Sequence, residues 1–303
     1  MPHFLTILIA FIFLSCTSSA PKSADDSSER QNRSAIDTIK VEKIQIANPA
    51  EYLSVLDTLD RGDLSSLYVA ATIFKNSQTD SLTCDSLFSG YYDFLKLFAQ
   101  RYLENNQKAG TELIHSRSVG AFERLKSSLS NYEIHLDSLD GSYSLEPNNG
   151  CLLLKFGDRL TTAYRSFLAL RSWERTRWMA GGSQYVIPHD SLAARIILWE
   201  NFIHQHPTFV SIREAQEQYT QSLGDFLAGT NHSVVFDPET YLLIDSSRVA
   251  FESLILKNPE SESAEIVKAY LGVLEATDYR YSEKIDSFLL KKVFAAEFAV
   301  DKN

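Results

Sequence analysis

From residue 50 onward the apolar positions recur three or four apart, the spacing that gathers them on one face of an α-helix. Phe88, Tyr91, Leu95, Phe98 and Tyr102 form one such series, and Val119, Phe122, Leu125, Leu129, Tyr132 and Leu136 form the next. Leu192, Ile196, Trp199, Phe202 and Ile203 follow, then Tyr219, Leu223, Phe226 and Leu227. Ile266, Tyr270, Leu271 and Leu274, and last Ile285, Phe288, Leu289 and Val293, continue the pattern. Each stripe needs a neighbouring helix to cover it. Asp80, Asp137, Asp190 and Asp286 each precede a Ser-Leu or Ser-Phe step and are predicted to accept the unpaired amides of a first helical turn. Pro207, Pro238 and Pro259 mark helix starts or breaks between helices. Two stretches read as strand: residues 36–48, where Ile39, Val41, Ile44 and Ile46 fall partly two apart, and a short run at Cys151–Leu154. The pattern predicts an all-α body of about eight to ten helices.

One segment is echoed. Trp199-Glu200-Asn201-Phe202-Ile203-His204-Gln205-His206-Pro207 matches Phe251-Glu252-Ser253-Leu254-Ile255-Leu256-Lys257-Asn258-Pro259. In both, an aromatic-Glu pair opens the last turns of a helix, and His or Asn followed by Pro ends it. Such repetition predicts stacked helical hairpins, each burying its apolar face on the next. Over residues 190–295 the aromatic-rich helices and proline breaks resemble tetratricopeptide-like helical repeats, although the repeat is longer than theirs and Gly and Ala miss the expected small positions. The expected fold is therefore an irregular α-α superhelix or an array of stacked helical hairpins.

Ahead of this body lies an uncharged apolar run, FLTILIAFIFLSC, at residues 4–16, followed by the polar stretch TSSAPKSADDSSERQNRS. The run is too short to cross a bilayer as a helix and has the length of a signal-peptide core. Phe13-Leu14-Ser15-Cys16 resembles the bacterial lipoprotein box, with Phe13 replacing the usual Leu and no basic residue near the start. The resemblance implies that Cys16 is lipidated on its sulfur, becomes the mature N-terminus and is acylated again. It also implies a bacterial cell envelope, with the lipid anchoring the protein to the outer membrane. Several acyl chains hold a protein stably at a membrane. Ser18-Ser19-Ala20 offers the alternative of an ordinary secretory cleavage and a secreted or periplasmic product. Residues 1–15 are thus read as signal peptide, 16–49 as lipidated Cys16 and polar tether, and 50–303 as the helical domain, with a candidate subdivision near 180–190.

The net charge of −10 argues against a general nucleic-acid binder, which needs a basic surface. Beyond Cys16 the only cysteines are Cys84 and Cys151. Export permits a disulfide between them, but their apolar neighbours favour two buried free thiols. His204 and His206 lie two apart and face different sides of a helix, and His189 and His232 fall in expected loops, so no metal ligand set is predicted. The chain has no HExxH, Walker, GxSxG or dinucleotide glycine motif, and no cofactor is expected.

The interior stretch Arg159–Trp178, RLTTAYRSFLALRSWERTRW, concentrates Arg159, Arg165, Arg171, Arg175 and Arg177 in an otherwise acidic protein. Guanidinium groups beside Trp173 and Trp178 suit a carboxylate, phosphate or acidic glycan; the competing reading is that the arginines pair with Glu174 and acids on adjacent helices. If a ligand or partner groove exists, Arg165, Arg171, Trp173, Arg175, Arg177 and Trp178 are its first candidates, with Tyr185 and Trp199 as neighbours. The leading functional expectation is a lipid-anchored helical scaffold that binds a protein, peptide or glycan partner. The alternatives are an envelope polymer-processing enzyme with a carboxylate general acid, and a small-ligand binding protein with an apolar cavity near Trp173, Trp178 and Trp199.

Overall fold

The computed structural model describes residues 46, 48–77, 79–115, 119–139, 142–179, 188–230 and 233–294. Cys16, the expected signal peptide and most of the expected strand at 36–48 lie outside them. Ile46, from that stretch, is buried in the core.

Among the described residues the fold is all-helical, with eleven α-helices and two short hairpins that close no larger sheet. The helices are α1 (Pro49–Thr58), α2 (Leu64–Asn76), α3 (Ser81–His115), α4 (Val119–Ser130), α5 (Asn149–Phe156), α6 (Thr162–Met179), α7 (His189–Gln205), α8 (Ile212–Ala228), α9 (Asp245–Lys257), α10 (Glu262–Glu275) and α11 (Glu283–Lys292). One hairpin, β1 (Ile134–Leu139) and β2 (Ser142–Pro147), separates α4 from α5; the other, β3 (Gly229–Thr230) and β4 (Ser233–Val234), follows α8. No helix among the described residues is long and apolar enough to cross a membrane.

Helix starts follow local chemistry at several sites. Asp80 Oδ1 accepts the amides of Leu82 and Thr83, both at 3.0 Å, as its sequence context predicts. Asn48, Asp63, Asn148 and Ser261 cap α1, α2, α5 and α10 in the same way. The other three predicted caps are corrected. Asp137 sits in β1 opposite Ser144, Asp190 falls inside the first turn of α7 after Pro188, and Asp286 lies inside the first turn of α11 after Ser282.

The expected helix through Tyr132 and Leu136 is also corrected. Helix α4 stops at Ser130, and Glu133 adopts a left-handed backbone, φ 56°. Ile134 and Leu136 then run two apart in β1, with Leu136 opposite Leu145. The turn is held from outside: the Glu133 carboxylate pairs with Lys155, and its carbonyl accepts the Asn148 amide at 2.7 Å. Cys151–Leu154, expected as strand, is helical because the Asn148 side chain takes the Cys151 amide at 3.0 Å and starts α5.

Two apolar cores share α7 and α8. The first joins α1, α2, α3, β1, β2, α5 and α6 to Trp199, Phe202 and Ala215; the second joins Leu192, Ile196, Leu223, Phe226 and Leu227 to α9, α10 and α11. The N-terminal half of α7 thus serves one core and its C-terminal half the other. Gly90 lets α3 approach α1 closely, since a Cβ there would stand 2.7 Å from a Leu53 methyl.

The sequence echo is a structural repeat. His206 and Asn258 end α7 and α9 with matching backbones, φ −130°, ψ 54° and φ −135°, ψ 56°. Their amides donate to Phe202 and Leu254 carbonyls at 2.9 and 3.0 Å, and a tight turn follows each. Helices α7–α8 and α9–α10 are two hairpins stacked on one another. The matching apolar positions of the two echoes, Trp199 with Phe202 and Phe251 with Leu254, are buried.

The glutamates of the echo diverge. Glu200 is buried and reaches from α7 to the start of α10, where Oε1 accepts the Glu262 amide at 2.8 Å and Oε2 accepts the Ser263 amide at 3.1 Å and its hydroxyl. One hairpin therefore caps a helix of the next. Glu252 lies at the exposed face and pairs with Arg248, whose guanidinium stacks on Tyr279. Glu200→Ala is expected to cost about 2 kcal/mol, because a charge-assisted cap is lost and two amides are orphaned; Glu252→Ala should leave stability unchanged. Paired urea titrations check this, and equal midpoint shifts would refute it.

Candidate functional site

The arginine-rich stretch forms a short 3-10 turn, Gly157–Arg159, and α6. Each described guanidinium is engaged within the chain. Arg159 Nη1 donates to the carbonyls of Phe74 and Lys75 at 2.8 and 3.0 Å, Nη2 donates to the Ser77 carbonyl, and the group stacks 4.8 Å from the Phe74 ring centroid. It closes the C-terminus of α2, where cations are favoured by the helix dipole. Arg165 donates to the Leu160 carbonyl and the Thr162 hydroxyl, both at 3.0 Å. Arg175 pairs with Asp137 of β1 and Glu146 of β2, tying α6 to the hairpin.

Arg171 enters a buried polar junction where the two cores meet. Its Nη1 donates to Glu174 Oε2 at 3.1 Å and to Gln218 Oε1 at 2.6 Å. Arg195 of α7 pairs with Glu174 Oε1 and donates to the same Gln218 oxygen at 3.1 Å. Trp199 Nε1 donates to Glu174 Oε1 at 2.5 Å. Glu174 and Arg195 are each only 4% exposed, so their charges rest on one another rather than on water. Burial pulls Arg171 toward neutrality, but Tyr92, Glu174 and Glu214 outweigh it and hold the guanidinium above its usual range. The junction clamps α6, α7 and α8 together, with the Arg171 Nε buried and not hydrogen-bonded.

The candidate groove residues are distributed accordingly. Arg171 and Trp199 share the junction, Arg175 is on the hairpin side, Arg165 is at the exposed start of α6, and Trp173 is half-buried. Trp199 packs against Phe167 and Phe202, with ring centroids 5.8 and 5.7 Å away. The structure therefore brings Arg171 and Trp199 together inside the molecule, around a glutamate. The side chains of Arg177 and Trp178, and all of Tyr185, lie outside the described positions.

Arg195 and Gln218, which complete the junction, were not singled out by the sequence patterns. Arg195 had one signal: a charge between Leu192 and Ile196 in an otherwise apolar stripe. Gln218 had none, being a polar residue on a polar-rich helix.

Cys84 and Cys151 are not joined in a disulfide. Cys84 is buried 3.2 Å from the Thr79 hydroxyl, and Cys151 is half-buried rather than buried. His189 lies 3.3 Å from the Ser247 hydroxyl, its burial keeping the ring below the usual histidine range, and His204 is 3.5 Å from Glu262. Among the described residues no group of three His, Cys, Asp or Glu side chains converges as a metal site. Comparison with known protein families, with curated proteins and with solved structures finds no match to the chain.

Proposed function

We propose that the protein is a lipoprotein of the bacterial cell envelope whose helical body serves as a scaffold, holding a protein or polymer partner near the membrane. The observation that carries the scaffold reading is the stack of α7–α8 on α9–α10, joined by the Glu200 cap. Stacked hairpins supply extended outer surfaces while their interiors are filled by side chains. The buried arginines and Trp199 are spent on that interior, which leaves the outer faces for recognition. The anchor reading rests on FLTILIAFIFLSC and Cys16, and the polar stretch beyond Cys16 would serve as its tether.

The anchor is tested by mass spectrometry of the mature N-terminus and by membrane fractionation in a bacterium with a lipoprotein pathway. The expected product begins at an acylated Cys16 and partitions with membranes, and Cys16→Ser should release it to the soluble fraction. An unmodified N-terminus at Pro21 would reject the anchor in favour of ordinary secretion.

A further inference from the structure

The second core is overlain by an open cleft of about 370 Å³, lined by Gly229, Thr230, Phe236, Asp237, Tyr241 and Tyr281 among others. Three short backbone segments build it. Asp237 and Leu242 close a four-residue loop, with the Asp237 amide donating to the Leu242 carbonyl at 2.8 Å. The Tyr281 amide donates to the Tyr241 carbonyl at 2.9 Å, which sets the two tyrosines side by side on neighbouring segments. Gly229, at φ 83°, lines the cleft beside them; a Cβ there would stand 2.7 Å from the Ser233 carbonyl oxygen, so only glycine fits.

The lining has a consistent chemistry. Tyr241 is 60% exposed and Tyr281 45%. Tyr241 is held out on a left-handed backbone, φ 59°, that a large side chain rarely adopts. The Tyr281 ring meets Phe236 edge to face at 5.4 Å, and its hydroxyl donates to Asp286 at 2.5 Å, which locks the ring in place. Asp237 Oδ1 accepts the Thr240 amide and hydroxyl and the Glu239 amide, and these bonds keep the carboxyl below its usual range. None of the three bonds uses Oδ2.

We infer that this cleft binds a neutral saccharide chain, stacking sugar rings on Tyr241 and Tyr281 and accepting a sugar hydroxyl at Asp237. Exposed aromatic faces suit the apolar C–H faces of pyranose rings, and an ionised carboxylate is an acceptor-only partner for hydroxyl donors. The volume falls in the range of small-ligand sites. The cleft is open rather than enclosed, which suits a chain passing through it and not a caged organic cation. Asp237, Glu239 and Asp286 beside it outnumber Arg280, whose Nη1 donates to the Thr240 carbonyl at 3.1 Å, and in a chain of net charge −10 they disfavour an acidic glycan. The inference rests on the scaffold reading by naming its partner class, and it is independent of the lipid anchor.

The test is isothermal titration of the full mature chain, in a non-glycosidic detergent, with chitohexaose, maltohexaose and xylohexaose, and separately with tetramethylammonium chloride. Saturable binding of at least one hexasaccharide is expected, weakened about tenfold by Tyr241→Asn and by Tyr281→Ser. Asparagine tolerates the left-handed backbone at position 241, and thermal melts of both variants show whether the fold is retained; Tyr281→Ser carries the test if the first melts early. Binding of tetramethylammonium alone, binding of no hexasaccharide, or hexasaccharide binding indifferent to both variants overturns the inference. Any of these leaves the scaffold reading standing if the protein still crosslinks to an envelope protein through another face.

Discussion

Glu174→Gln should lower the free energy of unfolding by about 3–5 kcal/mol, the cost of removing one partner from a buried ion pair. The carboxylate serves Arg171, Arg195 and the Trp199 indole at once. A glutamine in its place leaves two guanidiniums facing the neutral carbonyl of Gln218, which already accepts from both. Arg195, only 4% exposed, cannot recover its hydration, whereas the Arg171 side chain, 22% exposed, recovers part of it. The double variant Glu174→Met with Arg195→Met should regain most of the loss, since apolar residues of similar size often replace a buried pair at little cost. Urea unfolding followed by tryptophan fluorescence reads both variants. A single-variant loss below about 1 kcal/mol would show that water reaches the junction and screens it.

Phe88→Ala should cost about as much, roughly 3–5 kcal/mol, by a different route. Phe88 is fully buried on α3, and five aromatic rings surround it. Phe74, Tyr91, Tyr92, Phe156 and Tyr164 have centroids 5.5, 6.1, 6.3, 5.8 and 4.8 Å away. These rings come from α2, α3, α5 and α6, so the cavity left by alanine cannot close without moving several helices. The Tyr164 contact is edge to face at 89°, a geometry that adds about 0.5–1.5 kcal/mol beyond burial. Leu82→Ala, on the same helix but 75% exposed, should change little. Thermal melts of the two variants separate packing from helix propensity, because both introduce alanine into α3; equal shifts would contradict the aromatic core described above.

The residues that the periodicity selects on α3, α7, α8, α10 and α11 are those that form the cores. Phe88, Leu95, Trp199, Phe226, Tyr270 and Ile285 are all buried. The echo of Trp199–Pro207 in Phe251–Pro259 also predicted two like helix ends, and both ends have the same geometry. Where the reading failed, an interaction distant in sequence had overridden a local pattern. Leu129, Tyr132 and Leu136 have helical spacing, yet Lys155 and Asn148 hold a turn at Glu133 and pass the chain into β1. On the arginine helix the sequence left two readings open, a ligand groove or pairing with Glu174 and acids on adjacent helices. Its composition invited a ligand, while Asp137, Glu146, Glu174 and Gln218, from four different elements, take up Arg171 and Arg175.

Helix starts divide along the same line. Asp80 and Ser261 act on amides two or three residues ahead, a relation written within one turn of chain. Asp85 of α3 instead takes the Thr161 amide at 2.9 Å just before α6, and Glu200 of α7 takes two amides of α10. By itself the sequence determined the helical class, the inward faces and the repeated hairpin end, because these depend on periodicity and on atoms a few bonds apart. The tertiary structure alone decided which charge meets which, where α4 gives way to a strand, and which tyrosines stand outside the core at positions 241 and 281. Those outcomes depend on groups tens of residues apart competing for the same buried donor or acceptor, and desolvation, which settles that competition, exists only once the helices have packed.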